Sequence, residues 1–241
     1  MTNPYKELGL AIEVGDCSKL TKYLDDGIPA TIEHFLIATQ NKDYAILELF
    51  VCRGWDINTD VNDSIPSALI YTFEDKKLLE WFLNQGADPN KRCRIRDCTP
   101  LSYAVRDGSF ESVQFLLDKG DHIYHGQLLH YAAMRTRDNA FEVLQFIYNQ
   151  DPSYSRLQIN KLLDEESPNY YMNERSGLGT PLHYAAMCGS AKMVKFLLDK
   201  GSNHDYLDPY HRTATGYAIR NGHLEVQQIL NTGRDMDAEI K

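Results

Sequence analysis

The chain has 241 residues, 43% hydrophobic and 24% charged, an ordinary globular composition with enough apolar material for a sizeable core. Its formal net charge of −9 repels phosphate, which makes duplex nucleic acid and anionic membranes poor partners. No apolar run approaches the roughly 18 residues of a membrane helix, the amino terminus lacks the basic-then-apolar pattern of a secretory signal, and five scattered cysteines read as free thiols. These features predict an intracellular protein, cytoplasmic or nuclear.

In chain order, the first segment is YKELGLAIEVGDCSKLTKYLDDG (5–27), short and polar at Lys6, Glu7, Lys19 and Lys22. HFLIATQNKDYAILELFVCRGWDIN (34–58) and SALIYTFEDKKLLEWFLNQGADPN (67–90) follow, the second placing Phe82 33 positions before Phe115. Next come TPLSYAVRDGSFESVQFLLDKGD (99–121) and LLHYAAMRTRDNAFEVLQFIYNQ (128–150), which has two extra residues in its middle. After an irregular stretch, TPLHYAAMCGSAKMVKFLLDKGSN (180–203) nearly repeats 99–121, and TATGYAIRNGHLEVQQIL begins 33 positions after Thr180.

The best-defined copy reads as two helices. Thr180 can cap a start, with Pro181 at the first helical position, where a missing N–H costs nothing. Leu182, Ala185 and Ala186 share one face, Gly189 stops that helix, and Met193, Val194, Leu197 and Leu198 form the apolar stripe of a second helix that Gly201 ends. Neither helix can bury its stripe alone, so neighbouring copies must stack.

Each copy resembles the ankyrin repeat, whose T-P-L-H-x-A signature stands intact at Thr180–Ala185, with partial forms at 99–104, 127–132 and 213–218. The resemblance covers nearly the whole chain. It implies an all-α solenoid of stacked helix-turn-helix units joined by β-hairpin-like finger loops, in one array. The expected units are 5–32, 33–64, 65–97, 98–125, 126–150, 179–211 and 212–232, with an insertion at 151–178 and a tail at 233–241. The first three lack the signature, and Gly216 stands where the last should carry histidine. The polar first unit, and the last with Glu225, Gln227 and Gln228, suit terminal caps.

The resemblance also implies a function: non-enzymatic binding of a protein or peptide along the finger tips and first-helix ends of the concave face, as adaptor, scaffold or inhibitor. The basic run Lys91, Arg92, Arg94 and Arg96 lies in the finger between the third and fourth units. Residues 1–90 hold 7 basic and 15 acidic side chains, residues 91–150 hold 8 and 7, and residues 151–241 hold 10 and 12. The run is therefore read either as solvated surface or as a patch for an acidic partner segment. By position, the helix ends add Arg106, Asp107, Met134, Arg135, Arg137 and Arg220, and arginine can grip carboxylates bidentately. Tyr210 and His211 are contact candidates from the last finger, and Tyr170 and Tyr171 from the insertion, where Leu157, Ile159, Leu162 and Leu163 could form a covering helix.

No metal or cofactor is expected. Cys93 and Cys98 supply two ligands where zinc needs four, and His122 and His125 sit in a finger with no third ligand in sight. The signature histidines His130 and His183 read as structural. Phosphate-loop, dinucleotide, zincin and nucleophile-elbow motifs are absent from the sequence. The alternative is an enzyme of unrecognised type in a groove between the insertion and the last three units, using Tyr170, Tyr171, His183 and Cys188.

Overall fold

The computed structural model describes residues 3–120, 123–167, 170 and 178–238, so the candidates Tyr171 and His122 lie outside the described residues. The chain divides into two compact units, Met1–Arg94 and Ile95–Lys241, each built from successive pairs of short helices. In Met1–Arg94 the pairs are Pro4–Glu13 with Cys17–Asp25 and Ile32–Asn41 with Tyr44–Cys52, followed by a 3-10 turn, Ala68–Tyr71, and the helix Lys76–Asn84. In Ile95–Lys241 they are Pro100–Asp107 with Phe110–Asp118, Leu128–Ala133 with Ala140–Gln150, Pro181–Met187 with Ala191–Asp199, and Ala214–Arg220 with Leu224–Ala238. One further helix, Pro152–Gln158, follows the second of these pairs.

Capping residues set where the helices begin. Second helices start on Asp16, Asp43, Asp75, Ser109 and Ser190, whose side chains each accept an N–H from the first turn, a contribution of about 1 kcal/mol apiece. First helices start on Thr31, Thr99, Thr180 and Thr213. At Ser67 no side-chain cap forms, and Ala68–Tyr71 is a 3-10 turn after which Thr72 Oγ1 donates to the Leu69 carbonyl at 2.8 Å.

Small residues let the helices approach. Ala104, Ala132, Ala185 and Ala218 are fully buried beside Val113, Leu116, Val194, Leu197 and Leu230. Each such leucine contributes about 1.5–3 kcal/mol of burial. The core of Met1–Arg94 adds an aromatic cluster to buried Ala11, Ala38 and Leu47: Phe35 stacks on Trp55 at 5.2 Å and meets Phe82 edge-on at 5.9 Å.

The fingers differ from the hairpins expected. Among the described residues they contain one isolated bridge, Asn62 with Ile65, and no ladder. Side chains bind finger to finger in its place. Asn58 Nδ2 donates to the Gly86 carbonyl at 2.9 Å while its Oδ1 accepts the Asp88 N–H at 2.7 Å. Asn160 does the same to Gly201 and Asn203, at 3.1 and 2.8 Å. Asn160 is thus in repeat register within the expected insertion, and the sequence signal for it is the Ile-Asn pair shared by 57–58 and 159–160. The helix of this stretch, capped by Asp151, ends at Gln158, so of the four expected apolar residues it contains Leu157 alone. Leu157 is exposed on it, whereas Ile159 and Leu163 beyond it are buried and Leu162 is half-buried. The last helix continues to Ala238, so residues 233–238 of the expected tail are helical.

Candidate binding surface

The basic run meets acids of its own chain. Lys91 Nζ lies 3.1 Å from Asp60, and Arg94 Nη1 lies 2.9 Å from Asp63. The Arg94 pair is on the surface, its side chains 70% and 60% exposed, and such pairs contribute about 0–1 kcal/mol. Arg92 is exposed. The Cys93 thiol donates to the Ser64 carbonyl at 3.2 Å, and Cys98 is fully buried.

Arg96 is different. Its Nε donates at 3.0 Å to Asp164, a carboxylate with no exposure, whose other oxygen accepts the Asp97 N–H at 2.9 Å. Burial works against the Arg96 charge, but Tyr131, Asp164 and Cys98 outweigh it and hold its pKa above the ordinary value. The Asp164 N–H in turn donates to Gln127 Oε1 at 2.7 Å, and Gln127 Nε2 reaches the Leu162 carbonyl at 3.3 Å. His130 Nε2 donates to the Lys161 carbonyl at 2.7 Å. Residues 161–164 are therefore built into the repeat stack. Asp164 and Gln127 carry this and were not singled out by sequence, because no pattern links positions 37 apart.

Arg135 corrects an expectation. Expected at a partner-facing helix end, it is 1% exposed and spends its guanidinium internally. Nη1 donates to the Val105 carbonyl and Nη2 to the Gly108 carbonyl, each at 2.9 Å, while Nε and Nη2 hold Asn139 Oδ1 at 3.0 and 2.8 Å. A cation there complements the carbonyl end of the helix Pro100–Asp107. The two extra residues of this repeat supply the loop that carries it.

Arg106 is half-buried, bonded through Nε to Asp107 Oδ2 at 2.8 Å and lying 5.1 Å over the Tyr103 ring. Asp107, Arg137 and Arg220 are exposed, and Met134 is half-buried, its carbonyl accepting from the Cys188 thiol at 3.7 Å. Tyr170 is half-buried.

The last finger is organised around one carboxylate, Asp208. Asp208 accepts from Arg212 Nε and Nη2 at 2.9 and 2.7 Å, from the Tyr217 hydroxyl at 2.7 Å, and from the Tyr210 and Arg212 N–H groups at 2.9 Å each. Burial opposes ionisation of Asp208, yet Arg212 and Tyr217 hold its carboxyl below the usual carboxylate range. The Arg212 guanidinium lies 4.6 Å from both the Tyr210 and Tyr217 ring centres. This clamp leaves Tyr206, Leu207 and Tyr210 between 42% and 47% exposed, with His211, at φ +57°, exposed beside them.

The remaining candidates for chemistry are occupied. His183 Nδ1 accepts the Thr180 N–H at 3.1 Å and its Nε2 donates to the Arg212 carbonyl at 3.0 Å, which fixes the proton on Nε2. Burial pushes the His183 imidazole down and the Cys188 thiol up. Thr31 and His34 form the same unit, with the Thr31 N–H on Nδ1 at 3.2 Å and Nε2 on the Tyr5 carbonyl at 3.1 Å. The T-x-x-H spacing at 31–34 is the signal that reveals it. In the fourth repeat Ser102 takes the histidine's role, accepting the Thr99 N–H at 3.0 Å and donating to the Gly126 carbonyl at 2.7 Å. Among the described residues no three of His, Cys, Asp and Glu are grouped to hold a metal.

Stacked helix pairs tied by finger-to-finger bonds define an all-α repeat solenoid. A family model of ankyrin repeats matches residues 35–125, 67–156 and 129–240, and the chain belongs to the ankyrin-repeat family. Two fowlpox virus (strain NVSL) proteins described as ankyrin repeat proteins are similar to it. One is 26% identical over 166 residues, 61% of this chain and 87% of that protein; the other is 29% identical over 158 residues, 64% and 97%. The transient receptor potential cation channel subfamily A member 1 of Drosophila melanogaster is 30% identical over 106 residues, 44% of this chain but 8% of the channel. Ankyrin repeats are in general protein–protein interaction modules, and the family is generally non-enzymatic. No helix among the described residues is long and apolar enough to cross a membrane.

Proposed function

We propose that the chain is an adaptor, scaffold or inhibitor, a seven-unit array that holds a protein or peptide partner against the finger tips and first-helix ends of Ile95–Lys241. The observation that carries this reading is the clamped last finger. Tyr206, Leu207 and Tyr210 are large and exposed, and the Asp208–Arg212–Tyr217 network holds Tyr210 through its N–H and its ring, which limits the conformational entropy that residue loses on binding. Aromatic anchors of this kind carry a disproportionate share of interface energy.

The charge pattern supports a partner that is mixed rather than strongly acidic. Arg96, Lys91 and Arg94 have carboxylates from their own chain, and Arg106 has Asp107 beside it, while Arg137 and Arg220 are exposed. Tyr170 and Tyr171 stand as proposed secondary contacts.

The test is a quantitative pull-down from cell extract with wild type, Tyr206→Ala/Tyr210→Ala, and Arg106→Glu/Arg220→Glu. The expected result is a partner retained by wild type, lost by the tyrosine variant and weakened by the arginine variant, with circular dichroism unchanged. Equal retention by all three would remove this surface from the function.

A further inference from the structure

The fingers of Met1–Arg94 differ greatly in length. Twelve residues separate Gly54 from Ser67 and Gly86 from Thr99, but three separate Gly27 from Thr31. With the glycines aligned, Ala30 stands where the second finger has Ile57, and Thr31, already the cap of the next helix, stands where it has Asn58. The first repeat therefore lacks the pair that ties one finger to the next.

The consequence is visible on the second finger. Gly54 and Asp56 hold the places that Gly86 and Asp88 hold in the third, where Asn58 bonds both. Among the described residues the Gly54 carbonyl and the Asp56 N–H have no partner, and the Trp55 indole N–H, buried, also has none. At the same place there is a cavity of about 340 Å³ lined by Leu24, Ile28, Ala30, Phe50, Arg53 and Trp55. A hollow walled by the side chains of Leu24, Ile28, Phe50 and Trp55 and an unpaired donor–acceptor couple thus lie together at the truncated finger.

We propose that this cleft binds an extended segment of a partner protein carrying an aliphatic residue followed by asparagine, which supplies the part of the finger the first repeat lacks. The aliphatic side chain enters the cavity as Ile57 and Ile159 enter theirs, both being buried. The asparagine amide donates to the Gly54 carbonyl and accepts the Asp56 N–H, the two bonds that Asn58 and Asn160 make to the following fingers. Aspartate can accept but cannot donate, so the site discriminates amide from carboxylate. The cleft lies within Met1–Arg94 and depends on nothing proposed for the surface of Ile95–Lys241.

The probe is the hexapeptide Leu-Gln-Ile-Asn-Lys-Leu, a copy of residues 157–162, titrated into the full chain. Binding is read by calorimetry and by tryptophan fluorescence, which here reports Trp55 and Trp81 only. The expected result is saturable binding that weakens about tenfold when aspartate or alanine replaces the peptide's asparagine, as loss of a hydrogen-bonded amide requires. Ala30→Ile, which fills the cavity from within, is expected to abolish it. Equal affinity for the three peptides, or no saturation, overturns the proposal without recourse to any variant. A dimer of the free chain that Ala30→Ile dissolves would overturn it too, by placing a second copy in the cleft.

Discussion

Arg135 Nη2 donates to the carbonyl of Gly108 at 2.9 Å, so a buried cation of one repeat closes the first helix of the repeat before it. Arg135→Met leaves that carbonyl, the Val105 carbonyl and the Asn139 amide without their donor. The expected cost is about 3 kcal/mol, read as a fall in the urea midpoint at unchanged slope. Arg137→Met, two positions away and exposed, is expected to stay within about 0.5 kcal/mol of wild type.

Two aspartates on the basic run separate burial from mere proximity. Asp164 has no exposure and binds both Arg96 and the Asp97 N–H, whereas Asp63 is 60% exposed opposite Arg94. Asp164→Asn is expected to cost about 3 kcal/mol in chemical denaturation and Asp63→Asn less than about 1 kcal/mol. Equal effects would show that Asp164 is not the tie that holds residues 161–164.

His130 makes stability depend on pH. Burial pushes its pKa down to about 4, against the opposing effect of its backbone hydrogen bonds to Lys161 and Gln127. The unfolded chain protonates this histidine near its ordinary value of 6.5. Stability from keeping it neutral is therefore whole above pH 6.5 and is lost as pH falls from there to about 4, on the order of 3 kcal/mol in all. Carboxylates held below their usual range, such as Asp208, keep their contribution throughout this window and lose it only as pH falls further. Urea midpoints between pH 7.5 and 4.5 should fall in wild type and fall less in His130→Gln.

Glycine tolerance should follow space rather than φ alone. Gly126 and Gly201 both have positive φ, but a Cβ at Gly126 would lie 2.2 Å from Ser102 Oγ and 3.1 Å from the Thr99 N, while at Gly201 nothing lies within 4 Å. Gly201→Ala is expected to cost about 1 kcal/mol of backbone strain. Gly126→Ala is expected to cost several times more, about 3 kcal/mol, because it also expels Ser102 from its bond to the Gly126 carbonyl. Thermal unfolding of the two variants side by side checks this.

The sequence by itself determined the family and the helix pairs, because apolar stripes, threonine caps and terminal glycines are local and recur near 33 positions. It also placed Tyr210 and His211 in one finger and made His183 structural, since the signature carries its own bonding pattern. What it left open was partnership across distance. Whether Arg96 or Arg135 faces solvent depends on Asp164, 68 positions along the chain, and on carbonyls about 30 positions back, and no local pattern encodes either. Only tertiary packing turned Arg135 inward, gave the basic run its own carboxylates, and left the Gly54 carbonyl and the Asp56 N–H without a partner among the described residues, because burial and hydrogen-bond satisfaction belong to the assembled chain rather than to any one segment.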